Sequence, residues 1–313
     1  MSIGYVGSHG YHELLSLDAN LPTPTICPSA PCPAGYPDGA LYYPPGAALR
    51  NNSVWNTTHW FSEGISAYHG FETDVNHHWK NGLQFRGVYT FSKTLDDGDN
   101  LNTSVATNSP AFVANPLNPF ADYGRASFDV RHSGVIQASY DLPFGRSRDR
   151  SWQKFLIADW QVGGIVTLQS GLPFTPQLSY NPSNDGDTRN PVRPSWNPNF
   201  TGKVITGGVD QYFNPLAFTQ PLSGTYGDVG RNVLQGPSLK QLDFSLAKRW
   251  SVNERLALQF RSEFFNLLNH TNLNTPNPVV YAAATGGPSP TAGVITSTTT
   301  TSRQVQLGLK LLW

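Results

Sequence analysis

The residues able to do chemistry are few and scattered. Asp96-Asp97-Gly98-Asp99-Asn100 and Asn184-Asp185-Gly186-Asp187 offer the carboxylate and amide oxygens that a hard divalent cation takes. Neither stretch keeps the spacing of an EF-hand loop, and Asn, Asp and Gly favour loops for backbone reasons alone. His77-His78 lies in a turn, where a solvated pair is the simpler reading. Cys27 and Cys32 are the only cysteines and share a Pro-rich segment. Their spacing permits a local disulfide in an oxidising compartment, with a reduced pair or a loop metal site as alternatives. There is no GxSxG elbow, phosphate-binding glycine loop or HExxH helix. The expectation is a protein that is not an enzyme and needs no cofactor or metal.

Composition points elsewhere. Of 313 residues only 13% are charged and 12% are aromatic, with 29 Gly and 25 Pro, a mix suited to many short strands and turns. Net charge is zero, and no basic run supplies the footprint of a nucleic-acid partner. Apolar runs fall well short of the ~20 residues of a spanning helix, and mean hydropathy is negative. That test does not reach a membrane strand, where only alternate residues meet lipid. The start, Ser2-Ile3-Gly4-Tyr5-Val6-Gly7, lacks the basic, apolar and cleavage regions of a secretory signal. Either the chain stays in the cytoplasm or the exported N-terminal part lies outside this reading frame.

Period-2 alternation carries the fold class. In 241–248 Leu242, Phe244 and Leu246 alternate with Gln241 and Asp243. In 255–263 Leu256, Leu258 and Phe260 alternate with Gln259, Arg261 and Glu263. At the end Val305, Leu307, Leu309, Leu311 and Trp313 alternate with Gln304, Gln306 and Lys310. Similar patterns run over 159–169, 128–140 and 83–91, with a weaker one over 64–76 and a strand end at 2–7. These make about eight strands of roughly 9 to 13 residues, long enough to cross a bilayer when tilted. The expected architecture is all-β, an antiparallel transmembrane β-barrel.

The apolar sets should face lipid, and Gln241, Asp243, Gln259, Arg261, Glu263, Asp129 and Arg131 the lumen. Short links at 77–82, 141–158 and 251–254 alternate with long ones at 8–63, 95–127, 171–238 and 269–302. Short periplasmic turns and long extracellular loops are the rule for outer-membrane barrels. Trp79, Tyr140, Trp160, Trp250 and Trp313 all fall near the periplasmic strand ends, as an interfacial girdle would. The loop aromatics Tyr42, Tyr43, Trp55, Trp60, Trp196, Tyr212 and Phe213 either stack on a ligand or pack the loops together.

Six motifs then appear in order: Tyr5-Val6-Gly7-Ser8-His9-Gly10; Phe91-Ser92-Lys93-Thr94-Leu95-Asp96-Asp97; Phe128-Asp129-Val130-Arg131-His132; Tyr140-Asp141-Leu142-Pro143-Phe144-Gly145; Gln169-Ser170-Gly171-Leu172-Pro173-Phe174-Thr175; and Phe264-Phe265-Asn266-Leu267-Leu268-Asn269-His270-Thr271. Together they resemble the barrel of Oar-like TonB-dependent receptors of the carboxypeptidase-regulatory-like domain-containing family. The resemblance implies the C-terminal part of a barrel of about twenty-two strands, occupying 1–313, with the N-terminal plug and regulatory-like domain absent. It implies an outer-membrane location and uptake of a small-molecule, carbohydrate or peptide ligand, energised by the TonB system through the missing region. It also implies recognition of the terminal strand, ending in Trp313, by the barrel assembly machinery. The alternative is a non-transporting small barrel or adhesin presenting large surface loops.

Overall fold

The computed structural model describes residues 1–27, 35–98, 111–144, 155–187, 189, 192–253 and 255–313. Eight long strands dominate it: β1 (Ser2–Asp18), β2 (Thr58–His78), β3 (Leu83–Asp96), β4 (His132–Asp141), β5 (Trp160–Gln169), β6 (Leu239–Ser251), β7 (Ala257–Phe265) and β8 (Gln304–Leu312). Each pairs antiparallel with its neighbour in sequence, so the sheet is a simple meander from β1 to β8. The outermost long strands are β1 and β8, which do not pair with each other among the described residues; the short strand Ala111–Phe112 pairs parallel beside the upper end of β1. No described helix is long and apolar enough to cross a membrane.

The ladder register sorts side chains into two continuous faces. One row runs Ile136, Val166, Leu242 across β4, β5 and β6, and another runs Leu246, Ser262, Leu307 across β6, β7 and β8. The face they belong to also carries Tyr5, Phe71, Phe85, Phe91, Phe244, Phe260, Leu309 and Leu311. The other carries Gln84, Arg86, Thr90, Ser133, Gln137, Gln161, Thr167, Gln241, Asp243, Gln259, Arg261, Glu263 and Lys310. Because successive strand residues point to opposite sides, a slip of one residue anywhere would mix the two sets. Polar pairs mark the second face: across strands Arg86 meets Asp74 at 2.8 Å and Gln161 donates to Asp141 at 2.8 Å, and along β7 Arg261 meets Glu263 at 3.3 Å.

Several strand boundaries differ from the alternation, and His77 and His78, expected in a turn, are the last two residues of β2. β1 runs to Asp18 and β2 begins at Thr58, so the first long connection is 19–57. Bulges at 11–14 explain why the pattern breaks there: His12 takes a φ of +61°, and Glu13 lies so close to Gly64 that a Cβ would meet its backbone. Beyond the bulge Leu15, Ser16 and Asp18 are all buried, against loop residues that include Phe112, so a two-faced pattern is lost. β4 begins at His132, not at 128. Phe128, Asp129, Val130 and Arg131 belong to the preceding loop.

The hydrophobic core does not lie against the sheet. It lies in the long connections 170–238 and 266–303, where Phe174, Phe213, Phe218, Val229, Leu234, Val280, Tyr281 and Ile295 pack together. Short strands tie the two connections together, Gln177–Leu178 to Val279–Tyr281, and fold 170–238 on itself, Ser195–Trp196 to Phe218–Thr219. The long loops therefore form a folded cap at one end of the sheet.

Candidate functional site

The connections 79–82, 142–159 and 252–256 share one end of the sheet, and 19–57, 97–131, 170–238 and 266–303 share the other. Trp79, Tyr140, Trp160, Trp250 and Trp313 lie at or next to the short-turn end. There the Trp250 indole donates to the Phe155 carbonyl and the Trp160 indole to Leu156, both at 2.9 Å. Lys248 is buried between the two indoles, about 5.3 Å from each ring, and donates to the Ala158 carbonyl. A cation held between two aromatic faces this way is a favourable arrangement at an interface.

Hollows of about 750, 520 and 170 Å³ lie along the polar face. That is the expected result where a sheet curls with its polar side inward. The largest lies beneath the cap, lined by Glu13, Ser66, Glu72, Thr90, Thr94 and Asp96 with Phe128 and Val130 from the loop above. Its wall is hydroxyl-rich and acidic, with Glu13 hydrogen-bonded to Ser66 at 2.5 Å. A solute there would meet several acceptors and rotatable hydroxyls.

The cap is fastened to the outer end of β3 by buried polar groups. Arg231 binds the Asp96 carboxylate and carbonyl and donates to the Asp122 carbonyl at 2.9 Å, while Arg193 pairs with the Asp122 carboxylate. Burial lowers both guanidinium pKa values to about 10, still far above neutrality, so both remain charged and need those carboxylates. Asn232 donates to the Arg125 carbonyl at 2.7 Å and is bracketed by Thr175. Asp97 accepts the Ile65 N–H at 3.0 Å, and burial pushes its carboxyl above the ordinary value.

Asp129 belongs to the same joint. It is fully buried, accepts the Thr94 N–H at 2.8 Å, and pairs with Arg125 at 3.0 Å and Arg131 at 3.5 Å. The expected strand placement of Asp129 and Arg131 is corrected: their carboxylate–guanidinium pairing exists, but in a loop that Asp129 holds off the ladder. The remaining residues expected to face lipid, Leu242, Phe244, Leu246, Leu258, Phe260, Val305, Leu307, Leu309 and Leu311, share the apolar face. Leu256 lies one residue before β7, in the hairpin closed by Val252 N–H to its carbonyl at 2.8 Å. Gln241, Asp243, Gln259, Arg261 and Glu263 share the polar face.

The loop aromatics divide. Tyr42, Tyr43, Tyr212 and Phe213 are buried and pack the cap, whereas Trp55 and Trp196 are exposed; Trp60 is exposed too, but it lies in β2 opposite Ser16 and not in a loop. Asp185 accepts from Tyr226 and Asn181, both at 2.7 Å, and Asp187 pairs with Arg189 at 3.0 Å. Those carboxylates therefore act within the loop fabric, and burial beside Asp185 raises the Tyr226 pKa. No metal-holding cluster occurs among the described residues. Asp99 and Asn100 of the other Asp-rich stretch lie outside the described residues. Cys27 is buried and disulfide-bonded; Cys32 lies outside the described residues.

An antiparallel meander with one apolar and one polar face, an aromatic rim at its short-turn end and large loops at the other defines an outer-membrane β-barrel protein. The family model described as an outer membrane beta barrel domain matches residues 1–306, and the chain belongs to that family. Its location is the cell outer membrane. A comparison with curated proteins finds no match.

Proposed function

We propose that this chain is the C-terminal barrel portion of a TonB-dependent receptor, in which the loop cap captures a ligand and the polar face conducts it inward. The observation that carries the reading is the 750 Å³ hollow on the polar face directly beneath a folded, fastened cap. The cap supplies exposed Trp55 and Trp196 for capture, since aromatic faces stack on sugars, peptides and chelates alike. Within this reading the apolar face contacts outer-membrane lipid, and the TonB system acts through a region N-terminal to this chain. The motifs from Phe91 to Thr271 also support it, because Asp96, Asp129 and Thr175 converge on the cap joint and Asn266 makes the turn out of β7 at a φ of +51°.

The test offers cells carrying the complete gene fluorescent oligosaccharides, peptides and iron chelates in turn, with and without the inner-membrane energising system. Uptake that stops when that system is removed, while surface binding persists, supports the receptor. Surface binding with no energised uptake of any of these probes favours the rival reading, a non-transporting barrel that displays its loops as an adhesin.

A further inference from the structure

Carboxylates are segregated between the two faces. Over the regular ladder, below the β1 bulge, every carboxylate lies on the polar face: Glu72, Asp74, Asp96, Asp141, Asp243 and Glu263. The apolar face carries none; besides His77 and Lys248, which are engaged with the aromatic residues of the short-turn rim, it carries five further basic side chains, His9, His69, Lys93, His132 and Lys240. All five are exposed. All five stand toward the long-loop end: Lys93 is ten residues above the β3 turn, ~26 Å for a strand tilted about 40°, the height of the apolar band of a membrane barrel.

The side chains form two groups. Lys93 stands directly opposite His69 across the β2–β3 ladder, and the His9 ring meets the His69 ring edge-on with centroids 5.3 Å apart. His132 and Lys240 lie two strands apart, roughly 10 Å, on β4 and β6. Two of the imidazoles are oriented by tyrosine hydroxyls on the same face, Tyr5 to His69 Nδ1 at 2.6 Å and Tyr89 to His132 Nδ1 at 2.8 Å. With the hydroxyl donating to Nδ1, the neutral ring carries its proton on Nε2 and keeps a donor to offer. A row of donors and cations at a lipid interface, with no competing carboxylate, is complementary to phosphate.

We propose that this outer rim docks a phosphorylated lipid of the membrane's outer leaflet. Lys93, His69 and His9 hold one phosphate, and His132 with Lys240 holds a second on the same head group. The docking is a property of the barrel wall, independent of the ligand that the cap captures.

The full chain is extracted from outer membranes in mild detergent, and retained lipid is counted by native mass spectrometry after exposure to diphosphoryl lipid A or its dephosphorylated form. The wild-type chain is expected to retain the diphosphoryl form and not the other. Lys93→Gln with His69→Gln should lower retention at least fivefold, whereas Arg261→Gln with Lys310→Gln on the polar face should leave it unchanged. Fold is checked by the heat-dependent gel shift, and Lys93→Gln alone, at an exposed site, carries the test if the double variant misfolds. Equal retention by the rim variant, equal loss in the polar-face control, or equal retention of dephosphorylated lipid would overturn the proposal.

Discussion

Val166 lies at the centre of the sheet, with Ile136 and Leu242 on either side of it on the apolar face. It stands six residues above Trp160, ~16 Å along the membrane normal for a tilted strand, near the mid-depth of the apolar band. Val166→Arg places a cation there with no carboxylate on that face to meet it, at a cost of roughly 2 to 4 kcal/mol, or about 30- to 1000-fold in the folding equilibrium. Thr167→Arg, one residue on, lies beside Gln241 and Val135 on the polar face and should change stability by about 0.5 kcal/mol or less. Leu258→Arg supplies a depth control. Leu258 pairs with Trp250 at the rim, where the same substitution should cost only about 0 to 1 kcal/mol. The assay is urea unfolding of the chain from phosphocholine vesicles, followed by tryptophan fluorescence. Equal midpoint shifts for Val166→Arg and Thr167→Arg would refute the division into lipid and lumen faces, and an equal shift at Leu258 would refute the depth assignment.

Three further outcomes follow from the cap and the rim. Arg231→Met leaves the Asp96 carboxylate buried without its partner, costing about 3 to 5 kcal/mol; limited proteolysis should then cut within 170–238 while the strands stay protected, and adding Asp96→Asn should restore much of the resistance. The Asp97 carboxyl is raised above its ordinary value by burial. In the window between the ordinary carboxyl value, about pH 4, and that raised value the folded state therefore binds more protons than the unfolded one, and stability falls as pH rises through it; Asp97→Asn should flatten that part of a denaturation profile. Trp313→Asp puts a charge at the lower rim and should reduce the amount of protein recovered from the outer membrane with synthesis unchanged, as measured by quantitative blotting of fractions.

The sheet was legible because each of its strands has two different environments. Val305 to Leu311 alternates without a break, since one side chain in two meets lipid and the next meets the lumen. The asymmetry of the connections gave the orientation in the same way, since turns and loops differ in length at the two ends. The upper part of β1 was not legible, because Leu15, Ser16 and Asp18 lie past a bulge and are all buried, so neighbouring positions share one environment. The cap was not legible either. Phe213, Phe218, Val280 and Ile295 come from connections with no helical or strand period, and their association depends on contacts distant in sequence. Buried Arg193 and Arg231 carry no local signal, since an arginine in a polar loop ordinarily faces water. The clue lay in Asp96 and Asp129, acidic residues at the edges of strands whose partners only the folded loops supply.

The central claim is that a two-faced sheet crosses the outer membrane with its polar side inward. Cysteine is placed singly at each position from 304 to 312 in the full chain, whose native Cys27 is already disulfide-bonded. Membranes are then labelled with a lipid-soluble and a water-soluble thiol reagent. The account predicts strict alternation, with 305, 307, 309 and 311 taking the lipid-soluble reagent and 304, 306, 308 and 310 the water-soluble one. Uniform labelling by the water-soluble reagent along the strand would contradict it.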